Sequence, residues 1–267
     1  MNNIIICPVC KCDLLPGNNT YKCKSNHSFD ISSEGYTNLL IANKKKTPLP
    51  GDNKQMVQSR KNFLSKGYFK KLSDEISFIV SNFKDKSTLL DCGTGTGYYL
   101  NNIKSCNQNL TCIGIDISKF AIMAASKQNQ KINYFVATAF DMPVKDNSID
   151  IILNIFAPKP EKEFLRVLKD DGIIIEVVPS SYHMYELKKQ IYGEKTYINQ
   201  PPKDLNFLKI NTVNVTYKCN VNRDDIMMLT MMTPYFYKTP ASLLDKLNDI
   251  VNLDITFDFC VNIYKKL

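Results

Sequence analysis

Four residues near the start of the chain have the spacing of a metal site. Cys7-Pro-Val-Cys10 is followed after twelve residues by Cys23 and, with three residues between, by His27. Two thiolates two residues apart can share one ion from a tight knuckle, and a second pair closes a tetrahedron around Zn2+. The turn Pro16-Gly17-Asn18-Asn19 lies between the pairs, where a hairpin is needed to bring them together. Cys12 is the competing ligand, in a set of Cys7, Cys10, Cys12 and Cys23. The set ending in His27 is preferred, because Cys10-x-Cys12 is cramped. Four protein ligands make a structural site, and the ion would supply much of the folding free energy of so small a segment.

A second constellation is built for a nucleoside. The apolar run Ser87–Asp91 leads into Cys92-Gly93-Thr94-Gly95-Thr96-Gly97, and Asp116 ends the next apolar run about twenty residues on. Gly93, Gly95 and Gly97 let backbone approach a ligand where a Cβ would clash. Asp116 is placed to accept hydrogen bonds from both ribose hydroxyls. Asp91 separates the two cofactors that such a loop can hold. Its carboxylate would repel a pyrophosphate, but it suits the cationic methionine end of S-adenosylmethionine. A third segment, Val136-Ala-Thr-Ala-Phe-Asp-Met-Pro143, has the character of the strand and turn that read the adenine. Thr138 stands where an acidic residue is usual, so a hydroxyl or a backbone carbonyl would read N6, with Thr138 and Ala139 at the cofactor. After the fourth strand, Asn154-Ile-Phe-Ala-Pro158 offers Phe156 as a stacking surface for a base, or as an ordinary core residue. His183, one of two histidines, would touch the cofactor carboxylate, act as a base, or be structural. No residue is assigned as general base.

These residues need a scaffold, and the periodicity supplies one. Apolar runs at Thr88–Asp91, Cys112–Asp116, Asn133–Val136, Ile149–Asn154 and Gly172–Val178 alternate with helix-like stretches, the spacing of a parallel, doubly wound α/β sheet. The organisation read from this is a zinc-binding ribbon (1–36), a basic linker (37–54) and a Rossmann-like class I methyltransferase domain (55–267). In the last of these, two helices broken near Gly67 precede the sheet, and a polar insertion, a helix and apolar strands follow it. Hydrophobic residues make up 44% and charged residues 22%, ordinary globular usage. No apolar run is long enough to span a bilayer, and the N-terminus has no leader-like segment. The expectation is therefore a cytoplasmic protein away from the membrane, its nine cysteines reduced. A net charge of +8 favours a polyanionic partner. Lys44, Lys45 and Lys46, with the helix carrying Arg60 and Lys61, are the residues expected to meet phosphates, leaving ribbon and linker to RNA and not to the cofactor.

The two motifs together resemble the bacterial large-subunit rRNA (guanine-N1-)-methyltransferases over nearly the whole length. The resemblance is carried by Cys7-Pro-Val-Cys10, Asn26-His27-Ser28-Phe29-Asp30, Glu34-Gly35-Tyr36-Thr37-Asn38-Leu39-Leu40 and Pro50-Gly51-Asp52. It continues through the glycine loop, Phe156-Ala157-Pro158, His183-Met-Tyr-Glu-Leu-Lys188 and Met232-Thr233-Pro234-Tyr235. It implies methyl transfer to guanine N1 in a hairpin loop of 23S rRNA (helix 35), a homodimer, and cofactor contacts from Phe69 and His183. No residue tells which of two neighbouring guanines is the target. Two other readings compete: a small-molecule methyltransferase, which predicts a dispensable ribbon, and a non-catalytic RNA-binding protein, which predicts a damaged glycine loop.

Overall fold

The computed structural model describes residues 4–41, 47–48, 50–193, 196, 198–200, 203–233, 236 and 239–266. Lys44, Lys45 and Lys46 lie outside the described residues, as do Pro234 and Tyr235. Among the described residues, no helix is long and apolar enough to cross a membrane.

Strands β1 (Leu14–Pro16), β2 (Thr20–Cys23) and β3 (Ser28–Asp30) form a small antiparallel sheet, the ribbon. Then come β4 (Thr37–Asn38), helices α1 (Lys54–Ser65) and α2 (Lys70–Ser81), β5 (Thr88–Cys92), α3 (Tyr98–Cys106), β6 (Thr111–Asp116) and α4 (Lys119–Ser126). The chain continues through β7 (Asn133–Val136), β8 (Ile149–Ile155), α5 (Glu161–Val167), β9 (Leu168–Pro179), α6 (Tyr185–Tyr192), β10 (Leu208–Asn222), α7 (Arg223–Met231), α8 (Ala241–Leu244) and β11 (Asn252–Lys265). The second sheet has eight strands in the order β10-β11-β9-β8-β5-β6-β7-β4. Strands β5 to β9 pair in parallel, as the periodicity predicts.

Successive residues of these strands fall into two buried clusters, because side chains alternate across a strand and both faces are covered. Leu89, Tyr134, Ile151 and Ile173 pack with Phe63, Leu72, Leu100 and Ile122 of α1 to α4. Their neighbours Leu90, Phe135, Ile152 and Ile174 pack with Phe164 and Val167 of α5, and with Ile5, Cys7, Leu14 and Cys23 of the ribbon. The ribbon thus covers part of one sheet face.

Two expectations need correction. The segment 37–54 is more than a linker: Thr37 and Asn38 pair in parallel with Phe135 and Val136 of β7, so its first residues are a sheet edge. Beyond the five parallel strands, β11 is antiparallel to β9 and to β10, which makes the whole sheet mixed. The polar insertion expected after residue 180 in fact contains β10. That strand's outer face is largely exposed, so its polar residues alternate with Val213, Val215 and Val221 and dilute the apolar signal.

Candidate functional site

The glycine loop leaves the end of β5 at the carboxyl edge of the sheet, where open α/β folds bind ligands. Gly93, Gly95 and Gly97 have φ of 86°, 56° and 76°, which a side chain would resist. The three do different work. A Cβ on Gly93 would lie 2.6 Å from Cβ of Ala157, and one on Gly97 would lie 2.6 Å from the Tyr134 hydroxyl. Gly95 meets only the Arg60 side chain, at 3.5 Å, and stays open to the space above the loop. The amides of Gly93 and Thr94 donate to the carbonyl of Ile115, tying the loop to β6.

Asp116 ends β6. Its Oδ2 accepts the Gly95 amide at 2.9 Å and its Oδ1 the Ser118 amide at 2.8 Å, which fixes the carboxylate and leaves further lone pairs for a ligand. Burial raises its pKa. Asp91 is fully enclosed at the end of β5, and burial pushes its pKa up to about 7, with the charge of Asp116 adding to the rise. A buried carboxylate close to neutrality is suited to a cation, which would restore its charge.

These groups open into one cavity of about 890 Å³. Phe69, Asp91, Gly93, Gly95, Thr96, Asp116, Thr138, Ala139, Phe156 and His183 all line it. Gly97, expected at the cofactor, is not among its lining residues. It is the N-cap of α3 and allows the helix to pack on Tyr134.

The cavity also takes in residues that sequence reasoning placed elsewhere. Gly51 and Asp52 come from the supposed linker, and Ser118 Oγ donates to the Asp52 carbonyl at 2.6 Å. Arg60, expected on a phosphate-binding face, turns inward instead. It pairs with Asp52 at 2.9 Å and donates to the Met232 carbonyl at 3.3 Å, joining two distant segments beside Gly95. The motif Pro50-Gly51-Asp52 was the available signal, since Gly51 has φ of 81° and its Cβ would meet Ile117 and Ser118 at 2.9 Å. Tyr98, Tyr99, Phe140 and Met184, which lie within or directly beside the quoted motifs but were given no role there, add to the lining with Leu229, which lies in none of them.

On the other wall, Phe156 follows β8 with φ of 51° and remains 46% exposed. Asn154 is buried and donates to the Pro158 carbonyl at 2.9 Å, so it shapes this loop from within. His183 is buried against Phe259, 4.5 Å between ring centres. Its Nδ1 accepts the Asp258 amide at 3.3 Å, and burial holds its pKa down at about 3. The ring is therefore the neutral tautomer with its proton on Nε2, a hydrogen-bond donor and a poor base. Phe69 caps α2 and packs edge-on to Phe63, Phe257 and Phe259.

In the ribbon, the ligand atoms of Cys7, Cys10, Cys23 and His27 all lie within 4.8 Å of one another. His27 Nδ1 is 3.6 Å from Cys7 Sγ and 3.4 Å from Cys23 Sγ, and Cys10 and Cys23 are 3.6 Å apart. Bonds of about 2.3 Å to sulfur and 2.0–2.1 Å to nitrogen in a tetrahedron give edges of roughly this length. Cys12 is directed elsewhere, with its thiol 3.6 Å from the Cys10 carbonyl.

Comparison with known proteins agrees in both parts. A zinc-ribbon family model described as "RlmA, N-terminal" matches residues 5–48, and one described as a methyltransferase domain matches residues 83–229. A Bacillus subtilis protein described as a candidate 23S rRNA (guanine-N(1)-)-methyltransferase is 30% identical, over 94% of this chain and 93% of its own. The 23S rRNA (guanine(748)-N(1))-methyltransferase of Streptomyces fradiae is 29% identical, over 68% of this chain and 65% of its own. A similar relative from Micromonospora griseorubida is 28% identical, over 68% of this chain and 67% of its own.

Proposed function

Because the chain belongs to the family of 23S rRNA (guanine-N1-)-methyltransferases, we propose that it methylates N1 of one guanine in the hairpin loop of helix 35. S-adenosylmethionine, its cofactor, supplies the electrophilic methyl group, and the ribbon is a zinc-binding unit. In this reading Asp116 accepts the ribose hydroxyls, Asp91 faces the ammonium group, and Nε2–H of His183 donates to the carboxylate. Phe69 packs beneath the methionine end. Thr138 Oγ1 already accepts the Phe140 amide at 3.3 Å, so its O–H is left to donate to an adenine ring nitrogen. The cavity is at the upper end of the range for ligand sites, with room for a cofactor and part of a base.

The observation that carries the RNA reading is Phe156. An aromatic residue held in left-handed backbone costs of order 1–2 kcal/mol, and such strain collects at ligand sites. Its ring stands half exposed at the cavity rim, where a guanine leaving its stack would lie against it. Guanine N1 carries a proton that must depart as the new bond forms. His183 does not take it, being committed to donation, and the proton leaves to water at the open mouth. Lys44, Lys45 and Lys46 would meet phosphates around the loop, the working unit is a homodimer by resemblance to the family, and the reaction belongs in the cytoplasm with its RNA.

A methyl on N1 blocks the Watson–Crick edge and stops reverse transcriptase. Primer extension on rRNA should show a stop in the wild-type strain. The stop should vanish on gene deletion and return with the wild-type gene but not with Asp116→Ala. A stop that survives deletion would remove the assignment.

A further inference from the structure

The loop that forms the adenine side of the cavity is held between β7 and the ribbon. Residues Ala137 to Phe140 line the cavity, and within five residues of Phe140 the same stretch is bound to the ribbon. The Ile6 amide donates to the Pro143 carbonyl at 3.0 Å, the Lys145 amide donates to the Ile4 carbonyl at 2.9 Å, and Ile5 forms an antiparallel bridge with Val144. Lys11 pairs with Asp141 at 2.7 Å, and Lys145 with Asp13 at 2.8 Å. Tyr21 of β2 meets Phe135 of β7 edge-on at 5.7 Å. Two of the zinc ligands, Cys7 and Cys23, are buried in the same cluster as Phe135, Ala137, Met142 and Val144. From the other side, the Leu39 amide donates to the Val136 carbonyl.

We propose that the ribbon braces the cofactor site from behind, through residues 141–145, and that Lys11 and Asp141 are positioning residues which hold the Thr138–Phe140 loop in its binding shape. A ribbon without its ion cannot bury enough apolar surface to stay folded. Its loss would release residues 141–145 and let the loop sample shapes that do not fit the adenosine. Ribbon folding and S-adenosylmethionine binding are then coupled, and the coupling is reciprocal: whatever factor zinc contributes to cofactor affinity, the cofactor contributes to zinc retention. It departs from the expectation that ribbon and linker handle RNA and not the cofactor. It depends on the cofactor site and not on which RNA is modified.

The test uses the full-length protein, with cofactor affinity measured by calorimetry. Removing zinc with a chelator should weaken S-adenosylmethionine binding about fivefold or more, and returning zinc should restore it. Saturating cofactor should slow zinc release to a colorimetric chelator. Lys11→Glu should weaken the cofactor by roughly two- to fivefold, the range open to one exposed ion pair, with one zinc per chain still bound. The reversed pair Lys11→Glu/Asp141→Lys should recover most of that loss. A ribbon that is merely attached would give lower thermal stability with unchanged cofactor affinity. If the zinc-free protein aggregates, the Lys11 and reversed-pair variants decide, because they keep the metal. Unchanged affinity in Lys11→Glu, or loss without recovery in the reversed pair, would overturn the proposal.

Discussion

Cys7, Cys10, Cys23 and His27 come from one short stretch and meet within 4.8 Å, whereas the cofactor cavity is assembled from segments as far apart as Gly51 and Thr233. The two regions hold polar groups in place by different means. In the ribbon a single ion would join four side chains carried on three short strands and their turns. In the cavity each group has its own backbone support: Asp116 through the Gly95 and Ser118 amides, His183 through the Asp258 amide, Arg60 through the Met232 carbonyl. A chelated site therefore fails as a unit, and a distributed one fails by degrees.

The largest effect should come from breaking the chelate. Structural zinc contributes on the order of 10–16 kcal/mol in small ribbon-like units. Metal analysis of Cys23→Ser should show zinc lost, while Cys12→Ser should keep one ion per chain. Zinc retained in the first variant and lost in the second would reverse the ligand assignment. In the cavity a single substitution removes only its own share. Asp116→Ala should weaken S-adenosylmethionine by about 1.5–3 kcal/mol, the scale of hydrogen bonds to a charged group, and leave the fold intact. Calorimetry with no change in affinity would take Asp116 out of the site.

The contrast also explains what could be read from the sequence. The four ligands, the glycine loop and Asp116 were legible because each is a short spacing enforced by local geometry, and the five parallel strands because buried strands are continuous apolar runs. Arg60 was misplaced for the opposite reason. A basic residue on an amphipathic helix reads as solvent-facing, and only the packing of α1 near α4 and α7 turns it toward Asp52. Gly97 looked like its neighbours in the motif, yet Tyr134, brought in by β7, decides its role. The docking of the ribbon against Phe135 and Val144 left no trace in spacing at all, since it joins residues more than a hundred positions apart.

A smaller effect should appear in the pH dependence, again on the cavity side. Burial pushes Asp91 up to about 7, so below that pH it is largely protonated. A cationic ammonium favours the charged form, and binding at low pH must expel the proton. Affinity for S-adenosylmethionine should therefore rise from pH 6 to 8 and then level off, by no more than about tenfold per pH unit for one proton. Asp91→Asn should bind more weakly and lose the slope. A wild-type profile already flat across this range would show that Asp91 is ionised before the cofactor arrives.

The central claim is that one cavity joins a backbone-supported cofactor site to an aromatic rim that receives the guanine. It is tested most directly at Phe156, by single-turnover methyl transfer to a hairpin RNA alongside calorimetry of cofactor binding. Phe156→Leu keeps an apolar group against Phe259 but removes the stacking face. Transfer to RNA should fall by the equivalent of about 1–3 kcal/mol, the worth of base stacking on an aromatic ring. The S-adenosylmethionine dissociation constant should stay the same, and Phe156→Tyr should restore the rate. Full transfer in Phe156→Leu, or a parallel loss of cofactor affinity, would contradict this division of the cavity.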